Sequence, residues 1–218
     1  MIKVDRTPTP PASLAIEKRK ASGSYQTEDV VDLLRSDFQE KCYLCERKPV
    51  SDINIEHLIP HKGNVDLKFD WNNLFYSCAH CNSVKNKDKY DNKILDCCRE
   101  EPEQFLNHIF EGEHVRVVPI EEDCTNDRIL LTAELITACF ESTYPAIRTI
   151  QCEVRVNELR ITMLTLYKKL NEYSRNPQGR AICSLRGMLD RSYKFAGFTR
   201  TYVRLHLKDY PGLASYIE

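Results

Sequence analysis

The sequence predicts an α+β protein, predominantly α-helical, in which one small metal-stabilised unit is set in a helical scaffold. Three observations predict it. Two Cys-x-x-Cys pairs, Cys42/Cys45 and Cys78/Cys81, bracket a stretch of strand and turn character. Apolar residues recur at helical spacing before the first pair and through most of the chain after residue 95. The 218 residues, 42% hydrophobic and 29% charged, describe a globular chain that buries a real core without a disulfide scaffold.

In chain order, Thr7-Pro8-Thr9-Pro10-Pro11 cannot lie inside a helix and reads as an extended arm. A short charged helix is expected over 13–21, broken at Ser22-Gly23-Ser24. Thr27 with Glu28 and Asp29 offers an N-terminus, and Val30, Val31, Leu34 and Phe38 continue a helix of roughly 27–40 into Cys42. Residues 50–57 read as a strand or part of a hairpin, Pro60 to Asn64 as a loop, and Asp70 to Leu74 as a turn. A short helix over 82–90 leaves the second cysteine pair. Another is expected over 102–110, with Pro102 in its first turn, and a strand over 114–120. Leu159, Met163, Leu166, Tyr167 and Leu170 then mark a helix behind Asn157, and Phe198 to Leu205 begin another, ended by Pro211-Gly212. Three regions follow: 1–40, arm and helices; 41–95, the cysteine-bracketed unit; 96–218, a mainly helical region.

Charge and composition narrow the function classes. With 31 basic against 32 acidic residues the formal charge is −1, which excludes a uniformly basic nucleic-acid coat but leaves room for a local basic site. No apolar run approaches the roughly 20 residues of a membrane helix. The N-terminal residues show no secretory signal, so the expected location is cytoplasmic. In that setting thiolate–metal bonding is the expectation for the two cysteine pairs. Each pair sets two sulfurs on one tight turn, and the two turns supply the four ligands of a tetrahedral Zn²⁺. The remaining six cysteines (97, 98, 124, 139, 152 and 183) read as small core hydrophobes.

The informative constellation is Glu56-His57-Leu58-Ile59-Pro60, then Asn73-Leu74, then Cys78-x-x-Cys81-Asn82-x-x-Lys85, all behind the Cys42/Cys45 turn. Each piece alone is weak; their order and their enclosure by two cysteine pairs are not. Over residues 41–90 the chain resembles the HNH endonuclease family, whose ββα-metal finger carries an Asp/Glu-His-x-x-Pro stretch, a central Asn-Leu and a terminal His or Asn. The zinc-binding subclass of that family shares both flanking Cys-x-x-Cys turns. The resemblance implies a finger held by a structural zinc on Cys42, Cys45, Cys78 and Cys81, with one catalytic Mg²⁺ or Mn²⁺ on Glu56 and Asn82. It implies His57 as general base and Asn73 as the residue that braces the loop and orients His57. Two departures are present: Glu56 stands where Asp is commoner, and Asn82 where His is frequent.

The chemistry accounts for these residue types. Phosphodiester hydrolysis needs a water made nucleophilic and a leaving alkoxide stabilised in line with it. An imidazole with a pKa near 6.5 can take that proton near neutral pH. A hard divalent cation held by two protein groups keeps positions open for phosphate oxygens. Lys85, one helical turn past Asn82, is expected near the same phosphate. His61 and Lys62, in the loop, and Lys87 are further candidate nucleic-acid contacts; a solvated surface group is an equal reading of His61, and Asp88 and Asp91 interrupt the lysines that follow the finger, where a solvated helix face explains them equally well.

Beyond the finger the chain resembles the PtuB-type HNH proteins of Septu anti-phage systems, including those attached to retrons. The matching features are Met1-Ile2-Lys3-Val4 with its following prolines, Trp71-Asn72-Asn73-Leu74, Leu95-Asp96, Glu101-Pro102-Glu103, Thr149-Ile150 and Val156-Asn157-Glu158-Leu159. That resemblance implies a bacterial defence effector with a nucleic-acid substrate and a PtuA-type ATPase partner. Where a retron is attached, it adds a reverse transcriptase and its multicopy single-stranded DNA. The helical region would then dock the partner. The competing reading is a catalytically silent zinc-finger module that binds nucleic acid or protein.

Overall fold

Two short helices, α1 (Ala12–Glu17) and α2 (Glu28–Asp37), open the computed structural model, which describes residues 1–85, 88–141 and 146–217. Glu28 and Asp29 fill the first turn of α2, where carboxylates complement the exposed N–H groups of the helix. Val30, Leu34 and Phe38 are buried, and the Phe38 ring meets Phe75 edge-on at 5.6 Å.

The proline-rich arm is extended, and it is not loose. Met1, Ile2 and Val4 are buried. The Met1 amine donates to Glu46 Oε1 at 2.7 Å, and the Arg6 guanidinium lies 4.8 Å over the Trp71 ring while donating to the Trp71 and Leu74 carbonyls.

The finger follows. β1 (Ile53–His57) pairs antiparallel with β2 (Leu74–Cys78), from Ile53↔Cys78 to His57↔Leu74. Between them lies the short α3 (Val65–Lys68), capped by Asn64, whose Oδ1 accepts from the Asp66 and Leu67 amides at 2.9 and 3.1 Å. β2 runs directly into α4 (Ala79–Lys85), giving the ββα order. Wholly buried β2 shows no alternation, because α2 covers it as well as the finger's own core.

The helix expected over 102–110 is a hairpin strand instead. Only Pro102–Gln104 turns, as a 3₁₀ turn. β3 (Leu106–Glu111) then pairs with β4 (His114–Pro119). Gly112, at φ +65°, makes the connection, a conformation that glycine adopts without a Cβ penalty. The expected strand over 114–120 is β4.

The helical region comprises α5 (Asp127–Ala138), α6 (Ala146–Arg175), α7 (Ala181–Leu189) and α8 (Ala196–Leu205). α6 packs on α7 and α8, α8 on β3, and α5 on β4, so the second hairpin is sandwiched by helices. The last helix stops at Leu205, and Pro211–Tyr216 is a separate 3₁₀ turn. At Gly197 an added Cβ would stand 2.6 Å from Glu46 Oε1. The bare glycine lets its amide donate to Glu46 Oε2 at 2.8 Å. The six cysteines expected in the core divide: Cys97, Cys139 and Cys152 are buried, Cys98 and Cys124 half-buried, and Cys183 exposed. Among the described residues no helix is long and apolar enough to cross a membrane.

Candidate active site and metal centre

Two tight turns build the cysteine cluster. In the first, the Glu46 amide donates to the Cys42 carbonyl at 2.8 Å, and the Tyr43 amide reaches across to the Tyr76 carbonyl of β2 at 3.1 Å. In the second, Cys78 ends β2 and Cys81 lies in the first turn of α4, its amide 3.5 Å from Cys78 Sγ. All four thiols are buried and lie within 4.8 Å of one another. A tetrahedral site with Zn–S bonds of about 2.3 Å needs sulfurs about 3.8 Å apart. The cluster therefore fits a structural zinc, and four soft thiolates match its chemistry.

A zinc tetrathiolate carries net negative charge, and a buried cation from the helical region answers it. Arg155 of α6 is 2% exposed and its Nη2 donates toward Cys78 Sγ at 3.7 Å. Burial works against the guanidinium charge, but Cys45, Cys81 and Cys78 outweigh it and raise its pKa. Nothing local in the sequence links position 155 to the cysteines. His80, inside the second turn, is buried, with Nε2 3.1 Å from the Cys139 carbonyl, a backbone contact rather than a phosphate one.

The strand period of two separates Glu56 from His57. His57 ends β1, and its Nε2 lies 3.0 Å from the Lys68 carbonyl. A carbonyl only accepts, so Nε2 carries the proton and Nδ1 keeps the lone pair. Burial lowers the His57 pKa, the Lys68 hydrogen bond opposing it, so the ring is neutral near pH 7. Tyr25 meets the ring edge-on at 4.6 Å and His61 at 4.8 Å, so two aromatic neighbours fix its plane.

Asn73, buried, works on the loop that carries Lys68. Its Oδ1 accepts from the Ile59 amide at 2.7 Å, and its Nδ2 donates to the Ile59 and Leu67 carbonyls at 2.8 and 3.0 Å. The amide thus clamps both ends of the segment following His57.

Glu56 is buried, its Oε1 2.6 Å from Lys85 Nζ and its Oε2 accepting from the Tyr43 hydroxyl. Burial raises its pKa, while Lys85 and Tyr43 pull the other way. Lys85 also donates to the His57 and Leu58 carbonyls at 3.1 and 3.0 Å. The expected phosphate contact from Lys85 is therefore not what the structure shows: its buried ammonium is committed to two backbone carbonyls and to the Glu56 ion pair.

Glu56, His57, His61, Lys62, Asn82 and Lys85 line one cleft of about 420 Å³. Asp91 lines it too, as does Tyr25, a residue that sequence reasoning did not single out. Lys62 Nζ lies 2.8 Å from Asp91 and 3.6 Å from Asp88, so its charge is locally answered. Lys87 lies outside the described residues. Glu56 and Asn82, whose side chains carry the oxygen donors that a hard cation takes, line the same cleft. Each Glu56 oxygen keeps a lone pair beyond its Lys85 or Tyr43 contact, so the set fits a divalent ion that shares its carboxylate with an ammonium.

No curated protein matches the chain. Residues 42–88, the span from the first cysteine turn through β1, β2 and α4, match the sequence profile described as HNH endonuclease. The finger, with its four-cysteine cluster and its cleft, is an HNH endonuclease family domain.

Proposed function

We propose that the protein is a metal-dependent endonuclease that hydrolyses phosphodiester bonds in nucleic acid. The observation that carries this reading is His57: a neutral imidazole whose Nε2–H is held by Lys68 and whose Nδ1 is free, in the cleft shared with Glu56 and Asn82. Nδ1 takes a proton from water as its oxygen bonds to phosphorus, and the bond from phosphorus to the leaving oxygen breaks. Glu56 and Asn82 would hold a Mg²⁺ or Mn²⁺, which supplies charge stabilisation for the phosphate and the leaving oxygen. Asn73 and the Lys68 carbonyl position the base. Lys85 fixes Glu56 and the strand end, and His61 and Lys62, which line the same cleft, are the candidates for nucleic-acid contact.

The larger reading is that this nuclease serves as an anti-phage effector, with the finger at 41–95, the arm and helices at 1–40, and a partner-docking scaffold at 96–218. Near-zero net charge favours delivery by a partner, since intrinsic affinity for nucleic acid scales with the phosphates neutralised. A PtuA-type ATPase, with a retron reverse transcriptase and its DNA where one is attached, fits the similarity described above.

A specific observation favours a second reading, the silent zinc module: the Glu56 carboxylate is engaged by Lys85 and Tyr43. Incubating the purified protein with plasmid DNA and with tRNA, in Mg²⁺, Mn²⁺ or EDTA, separates the two. A nuclease cuts at least one substrate in a metal-dependent way. A silent module cuts neither, with or without the ATPase.

A further inference from the structure

The long helix α6 has two apolar faces. One, through Leu159, Met163, Leu166 and Leu170, is buried in the helical core. The other runs Ile150, Val154, Asn157, Ile161, Leu164 and Lys168, at alternating steps of four and three residues, the spacing of a coiled-coil seam. At about 100° per residue these positions form a stripe diametrically opposite the core face. Its four aliphatic members are 63%, 42%, 62% and 59% exposed. Lone exposed aliphatics are ordinary, but four in heptad register on one helix are a contiguous surface.

Ion pairs border the stripe on both sides. Arg160 reaches Glu113 at 2.7 Å on one flank, and Glu158 receives Arg47 at 2.7 Å on the other. An apolar strip between polar borders is the anatomy of an interface core with its rim.

Charge along the stripe selects the occupant. Glu153 stands exposed near its start, and Lys168 and Arg175 stand exposed towards its end. A second copy laid parallel would set Glu153 beside Glu153 and Lys168 beside Lys168. Laid antiparallel about a two-fold axis near residue 159, it places Val154 against Leu164 of the other copy, Asn157 against Ile161, and Ile150 against the Lys168 stem. Glu153 then lies beside Lys168 at both ends, and the two helix dipoles oppose each other favourably. We propose that α6 is a homodimer interface, closed by antiparallel pairing of this stripe with its counterpart in a second copy. Asn157, the one uncharged polar member, faces Ile161 of the other copy and accepts from Arg160 Nη1 at 2.9 Å within its own chain, so it costs the seam some affinity. A two-helix seam sits at the small end of specific interfaces, about 1,000 Å² in all.

Sedimentation equilibrium of the full chain, from about 1 to 200 µM, tests this. The wild type is expected to pass from monomer to dimer. Ile161→Glu, at an exposed position, is expected to weaken dimerisation at least 100-fold while keeping zinc content and melting temperature. Lys168→Glu is expected to weaken it several-fold, and adding Glu153→Lys to restore it, which a parallel or unrelated contact would not do. A wild type that stays monomeric at 200 µM overturns the proposal, even if the stripe captures another protein. So does an Ile161→Glu variant that dimerises as well as the wild type.

Discussion

His57 illustrates how little of a proposed general base lies in the residue itself. Its tautomer is set by the Lys68 carbonyl and its plane by Tyr25 and His61. The Lys68 carbonyl is held in turn through the loop that Asn73 clamps. Asn73→Ala leaves the Ile59 and Leu67 groups without their partner, and the expected loss is about 2–3 kcal/mol of stability, read from denaturant unfolding. The Lys85–Glu56 pair is the other prediction at this scale. Both groups are buried, so Lys85→Met leaves a carboxylate without its counter-charge; the expected loss is about 3–5 kcal/mol. Glu56→Gln in the same background should recover part of it, because the uncompensated charge is then gone. Chain order was enough to nominate Glu56, His57, Asn73 and Asn82, which the fold gathers around one finger. Tyr25 and Tyr43 were not nominated, because a tyrosine before a helix, or between two cysteines, carries no sign of which carboxylate or ring it will meet.

At the scale of elements, the finger was readable because its ligands lie on turns with fixed spacing: Cys-x-x-Cys needs only a local bend to set two sulfurs together. β3 was not readable. Pro102 and the acidic residues around it imitate a helix start, while pairing with β4 and cover by α8 decide the outcome. Gly112 was the available signal, since a glycine between Glu111 and Glu113 supports a hairpin. The two-stranded sheet of the finger is too small to stand alone, and the four thiols cluster where β2 ends and α4 begins. Zinc held there would supply folding energy to this element. A strong chelator is expected to lower the melting temperature by at least 10 °C and release about one zinc per chain. Cys78→Ser is expected to abolish that zinc and expose the finger to proteolysis.

For the whole molecule, the finger is wired into the chain at both ends. Arg6 and Met1 bring the arm to Trp71, Leu74 and Glu46, and Arg155 brings α6 to the sulfurs. Periodicity reveals that α6 exists but not that one of its arginines reaches the cysteine cluster, more than 70 positions away. A partner donor outside the ligand set typically changes metal affinity 10–100-fold. Arg155→Gln is accordingly expected to weaken zinc binding in that range, measured by competition with a chromogenic chelator. An unchanged affinity would make Arg155 a packing residue only. The same long reach means that the helical region steadies the finger, whatever else it docks.

The most direct test of the central claim is the cleavage rate of His57→Ala beside the wild type, on the nucleic acid that the wild type cuts, in Mg²⁺ or Mn²⁺. With zinc content and melting temperature matched, the variant is expected to lose at least 100-fold in rate, the usual contribution of a positioned general base. A His57→Ala protein that cuts at the wild-type rate would contradict the account.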